Sequence, residues 1–185
     1  MKSVLVACPT YDGKDYALEE YLNAYNAFTY PQKHLFLVDN SASNYLEKLK
    51  GHGIECEHLV PSGKKIDEVL VESWKTIVKK AVEEKYDYLF CCEADNINPS
   101  ETISYLVELA DRYNFSVVAH DYPEKSNVQF PDDRILGLGC TLIKVDIFGN
   151  GEIAGNLFDF ITQKGLSIIQ IRNVLNTKHL GENNG

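Results

Sequence analysis

The chain has 185 residues, 44% hydrophobic and 24% charged, with 12 Gly and 6 Pro, a composition typical of a folded domain. At this length it can bury roughly 70% of its unfolded surface. Its formal net charge of -9 excludes the broad basic face that nonspecific nucleic-acid binding needs. No apolar run approaches the ~20 residues of a membrane span, and Met1–Pro9 is too short for a secretion signal, so a cytoplasmic protein is expected.

Strand and helix signals alternate along the chain. Ser3–Cys8 reads as a first strand, and Leu18, Tyr21, Leu22 and Tyr25 then share one helical face. His34–Val38 is a second strand ending at Asp39-Asn40-Ser41, followed by a short helix near Asn44–Lys50 and a weak strand near Ile54–Leu59. Ile66, Val69, Leu70, Ser73, Trp74, Ile77, Val78 and Ala81 trace the seam of a long helix, with Trp74 a core residue. Tyr86–Cys92 is an apolar strand that runs into Glu93-Ala94-Asp95-Asn96. Asn98-Pro99-Ser100-Glu101 reads as a helix start, with Asn98 as cap, and Ile103, Leu106, Val107 and Ala110 form the stripe that follows. Ser116–Ala119 is another strand. The polar, aperiodic stretch from His120 to Arg134 is expected to be a mobile loop, a place where binding function is often carried. Cys140–Lys144, a helix near Asn156–Lys164 ending at Gly165, and Leu166–Ile171 complete the pattern. The expectation is one α/β domain over residues 1–185 with a mainly parallel central sheet flanked by helices.

Five cysteines, at 8, 56, 91, 92 and 140, include no C-x-x-C pair, which argues for reduced, mostly buried thiols over a disulfide or zinc framework.

Chemistry concentrates at three strand ends. Glu93 and Asp95 stand i, i+2, a spacing that turns both side chains to one side of an extended strand. Two carboxylates at the carboxyl edge of an α/β sheet suit a hard divalent cation, Mg²⁺ or Mn²⁺, carrying a phosphorylated substrate. Pro9-Thr10-Tyr11-Asp12-Gly13 follows the first strand without a G-x-G-x-x-G or P-loop pattern, leaving a polar, aromatic turn able to face a nucleobase or ribose. Asp39 ends the second strand, where an acid either contacts a nucleoside or caps the next helix.

The order Pro9-Thr10-Tyr11, Val38-Asp39-Asn40-Ser41, long helix, Glu93-Ala94-Asp95-Asn96 resembles a GT-A-fold glycosyltransferase of the family-2 kind. Leu136–Lys144 resembles the small-residue acceptor-side segment of that family, and His179-Leu180 resembles its late histidine. The resemblance implies a GT-A-like (Rossmann-like) fold and transfer of a sugar from a nucleotide-diphosphate sugar to an acceptor hydroxyl on a glycan, protein or small molecule. It further implies a metal held by Glu93, Asp95 and His179, and a donor bound by Pro9, Thr10, Tyr11, Asp39 and Asp95. The family's acceptor-side Glu-Asp pair has no counterpart at the usual spacing. Asp159, then Glu152, are the acids left to act as catalytic base, with Asp121 or Asp133 behind them. Two other readings share this sheet. A sugar-phosphate nucleotidyltransferase would want a Gly-rich basic loop that Pro9–Gly13 lacks. A noncatalytic nucleotide-sugar or glycan-binding module would need no base.

Overall fold

Three strands buried on both faces fix the centre of the molecule. In the computed structural model, which describes residues 1–120, 138–163, 165–171 and 174–180, β1 (Val4–Thr10), β2 (Lys33–Asp39) and β4 (Tyr88–Cys91) are almost wholly buried. Continuous Val/Leu/Phe runs of this kind belong to a sheet covered on both sides. β3 (Glu55–His58) alternates exposed and half-buried residues, as a sheet edge should. With β6 (Val117–His120), β7 (Thr141–Lys144) and β8 (Ile168–Ile171), the order is β3-β2-β1-β4-β7-β6-β8. Four of the neighbouring pairs are parallel; only β7 runs antiparallel, against both β4 and β6.

A 3₁₀ turn (Asp12–Ala17) leads from β1 into α1 (Leu18–Ala27), and α2 (Tyr45–Gly51) joins β2 to β3. The long helix α3 (Ile66–Glu83) lies on β1, β2 and β4 through Val69, Ser73, Trp74, Ile77, Val78 and Ala81. Trp74 is a core residue, as its place on the seam predicts. Ile66 and Leu70, expected on the same seam, are 78% and 40% exposed, because the first turns of α3 extend beyond the edge of the sheet core. α4 (Thr102–Tyr113) lies on β6 and β7. It begins three residues later than the Asn98 cap predicts. Asn98 is buried, donates to Cys92 Sγ at 3.2 Å and accepts from Thr177 Oγ1 at 3.1 Å, so its amide serves a tertiary contact. A second 3₁₀ turn (Val145–Phe148) and α5 (Leu157–Gln163) stack Phe148 on Phe160 beside α3.

Two elements escape any periodicity. β5 (Asn96–Ile97) pairs antiparallel with β9 (Lys178–His179), a two-residue ribbon with Asn96 opposite His179. The expected loop after His120 lies outside the described residues, with Asp121, Asp133 and Gly137; His120 itself ends β6, buried, its Nε2 accepting from Leu175 N at 2.9 Å. None of the five cysteines is in a disulfide, and four of them are buried. Among the described residues, no helix is long and apolar enough to cross a membrane.

Candidate metal centre

The order of the sheet places the site. β1 is flanked by β2 on one side and β4 on the other, so the carboxyl ends of these three strands open side by side. The chain leaves β1 and β2 in one direction and reaches β4 in the other, the kind of switch point where open α/β sheets bind ligands.

At the end of β4 the strand stops at Cys91, and Asn96 N donates back to Glu93 O at 2.9 Å, closing a turn. Glu93 and Asp95 therefore converge through a turn rather than through the alternation of an extended strand. The short ribbon then supplies the third group. Leu180 N donates to Asp95 O at 2.8 Å, and pairing of Asn96 with His179 sets the imidazole beside the carboxylate. One ligand atom each from Glu93, Asp95 and His179 lies within 4.8 Å of the others. Two carboxylate oxygens and an imidazole nitrogen are a donor set that suits Mn²⁺ or Mg²⁺.

Asp95 is completely buried and does not stand alone. Its Oδ2 receives the Lys14 ammonium and the Tyr16 hydroxyl, the latter at 3.0 Å, with His179 Nε2 3.5 Å away. Burial alone would push the Asp95 carboxyl up; the Lys14 ammonium, then the Tyr16 hydroxyl and His179, outweigh it and hold the group below the ordinary aspartate value. Below this layer Cys92 is raised to about 12 by burial, so its sulfur is a thiol, and it accepts from Asn98 Nδ2 at 3.2 Å.

The neighbouring end of β2 is built around Asp39, also fully buried. Oδ1 accepts from Ser41 N at 3.0 Å and Ser41 Oγ at 2.6 Å, and His58 Nδ1–H donates to Oδ2 at 2.8 Å. His58 enters because β2 and β3 are in register at Asp39 and His58. The Ser41 hydroxyl in turn accepts from Asp12 N at 2.8 Å, tying the ends of β1 and β2 together. Thr10 is buried at the last position of β1, Pro9 precedes it, and Tyr11 is 44% exposed above them. Gly13 permits that position, for a Cβ there would stand 2.2 Å from the Tyr11 ring.

The two acids expected on the acceptor side are not gathered into this cluster. Asp159 sits in the first turn of α5, exposed, with Asn156 Nδ2 donating to its Oδ2 at 2.7 Å while its own N donates to Asn156 Oδ1 at 2.7 Å. That reciprocal pair is a helix cap. Glu152 accepts from Asn150 Nδ2 at 3.2 Å and lines an open groove of about 660 Å³ with Lys75, Thr76 and Lys79 of α3. Lys14, Tyr16, His58 and Asn98 were not anticipated. A Lys and a Tyr just after a strand-end turn were the available signal for the first two; His58 was legible only through strand register.

No family model and no curated protein matches the sequence. Solved structures do match the fold. A mannosyltransferase from Pyrobaculum calidifontis, PcManGT, in complex with GDP-Man and Mn²⁺, superposes with a TM-score of 0.67 over 98% of this chain and 58% of its own, at 14% identity. S. aureus TarS 1-349 in complex with UDP-GlcNAc gives 0.63 over 98% of this chain and 60% of its own, at 12% identity. A mycobacterial protein gives 0.65, covering 97% of this chain and 68% of its own, at 14% identity. The chain thus spans about three fifths of the length of the first two. At these identities the likeness shows the fold: a GT-A-like α/β domain, shared with glycosyltransferases.

Proposed function

We propose that this domain binds a nucleotide-diphosphate sugar with a divalent cation and transfers the sugar to an acceptor hydroxyl. The observation that carries the reading is the meeting of Glu93, Asp95 and His179 beside the Asp39 end of the sheet. Glu93, Asp95 and His179 would hold Mn²⁺ or Mg²⁺, which, when bound, supplies Lewis-acid charge for the departing diphosphate.

The protein's own groups do the rest. Asp39 holds Ser41 and His58 in fixed orientations at the nucleoside end, and Tyr11 presents an exposed ring to a base or ribose. The tie from Asp12 to Ser41 keeps the two strand ends from parting, so the donor meets a rigid floor. For the acceptor hydroxyl we propose a carboxylate base, Asp159 ahead of Glu152. Its support is the resemblance alone, because neither acid touches the Asp95 group. That same placement favours the second reading, a module that binds nucleotide sugars without turning them over.

Release of free UDP or GDP from the corresponding sugar nucleotides, with and without acceptor and Mn²⁺, tests the proposal. Acceptor-stimulated, Mn²⁺-dependent release supports transfer. Tight binding with no release under any condition supports the binding module. Asp95→Asn should weaken Mn²⁺-dependent nucleotide binding tenfold or more while circular dichroism stays unchanged, since Lys14, 25% exposed, can swing to water. Unchanged affinity in that variant removes the assignment.

A further inference from the structure

The carboxylate best placed to hold a cation already faces one. Asp95 offers an oxygen to the group of ligand atoms within 4.8 Å of one another, and its Oδ2, 3.5 Å from His179 Nε2, is the oxygen on which the Lys14 ammonium rests. Lys14 comes from the 3₁₀ turn that follows β1, where its flexible stem is only partly covered, whereas Asp95 is fully buried and held from behind by the ribbon. A buried carboxylate needs a positive partner in the metal-free state. A divalent ion on this carboxylate and an ammonium resting on its Oδ2 stand close enough to repel strongly in a partly buried site.

We propose that Lys14 is a tethered cation that neutralises Asp95 until a divalent ion arrives, and is then transferred to the nucleoside diphosphate that leaves the donor sugar. This rests on the metal reading above. The charges favour the exchange: a nucleoside diphosphate carries up to three negative charges, a divalent ion leaves one uncompensated, and Lys14 stands at the strand end beside it. A lysine suits this role better than an arginine, because its point charge sits on a stem with four rotatable bonds and makes no bidentate fork with the carboxylate. Tyr16 marks the hinge of the exchange. Its hydroxyl lies 3.0 Å from Asp95 Oδ2 and 3.1 Å from Leu180 O, so it can turn its single O–H to the carbonyl when the ion takes the carboxylate.

The test is titration calorimetry of the full chain, first with MnCl₂ alone, then with UDP and GDP at saturating Mn²⁺. Lys14→Met should bind Mn²⁺ about tenfold or more tightly than the unaltered protein without nucleotide, and should bind the nucleoside diphosphate about tenfold or more weakly with Mn²⁺ present. A merely structural lysine would give the opposite sign in the first titration. Lys14→Gln, which keeps a hydrogen bond to Asp95 without charge, should shift both affinities in the same directions and serves if Lys14→Met folds poorly. Tyr16→Phe, which leaves the charge in place, should leave the Mn²⁺ affinity within a few-fold of the unaltered protein. Equal or weaker Mn²⁺ binding by both Lys14 variants, or unchanged nucleotide affinity, overturns the proposal while the metal reading stands. Absence of Mn²⁺ binding in the unaltered protein and both variants overturns the two together.

Discussion

Asp39 shows how a single buried acid can act at a distance. Both of its oxygens are engaged, by Ser41 and by His58, so its carboxylate sets the direction of two other polar groups. Asp39→Ala would free the His58 ring and the Ser41 hydroxyl, loosening the nucleoside end without disturbing the charge at Asp95. The expected kinetic signature is a donor KM raised ~10-fold or more with kcat little changed, the mark of binding lost equally from ground and transition states. His58→Ala should reproduce most of that rise. A collapse of kcat at constant KM in both variants would place Asp39 in the chemical step. At this scale the sequence was informative where a residue terminates a strand: Glu93, Asp95 and Asp39 are all at the carboxyl edge. It was silent on the partner that comes from register, His58, because no local pattern encodes who stands opposite whom.

Among the elements, the ribbon of β5 and β9 and the start of α5 carry opposite lessons. The ribbon is two residues long, too short for any periodicity, yet its backbone pairing sets His179 beside Asp95. His179→Ala should leave that pairing intact, since it is made by backbone, and should lower Mn²⁺ affinity ~10-fold or more, ~1.4 kcal/mol per decade. Mn²⁺ affinity equal to that of the unaltered protein would remove His179 from the ligand set. At α5, Asp159→Ala removes the bond from Asn156 Nδ2 but keeps the cap bond from its own backbone N, and a melting experiment should register a loss of about 0.5 kcal/mol or less. Asp159→Asn isolates chemistry from capping. If Asp159 also serves as base, kcat falls ~10²-fold or more in both variants, whereas lost capping alone moves only the melting temperature. The long helices and central strands were legible because burial enforces their periods; the Asn98 cap misled because a cap motif is local and the amide found tertiary partners in Cys92 and Thr177.

Across the whole molecule, the edge of the sheet opposite the site is fastened by Asp87. Burial works against its charge, but Ser3 N at 2.8 Å, the Lys2 ammonium at 3.0 Å and Ser3 Oγ at 3.1 Å hold its carboxyl below the usual aspartate range. A depressed folded-state pKa means the stabilisation is present in full above the unfolded value of about 3.9 and disappears as pH falls through the folded one. Asp87 is partly exposed, so the contribution is about 1 kcal/mol or less after solvent screening. In denaturant titrations, the stability gap between the unaltered chain and Asp87→Asn should be open at pH 7 and should close near pH 2. A gap of constant size across that range would show that the carboxylate's charge contributes nothing to the clasp. The fold itself, a mainly parallel sheet with acidic strand ends, could be anticipated because continuous buried runs and helical seams repeat along the chain. The antiparallel insertion of β7 could not, since a four-residue strand reads the same in either direction.

The contact from Tyr16 to Leu180 spans 164 residues, and the bond from Leu180 N to Asp95 O closes over about half that length of chain. Contacts so distant in sequence form late in folding, after loop-closure entropy has been met by the sheet and its helices. During synthesis, the strands β1, β2 and β4 can assemble with Asp95 already paired to Lys14, whereas His179 is not yet made. A nascent chain would therefore collapse with the buried Asp95 charge already neutralised from within, before His179 is set beside it. On that view the order of translation itself keeps stray divalent ions off the half-built domain.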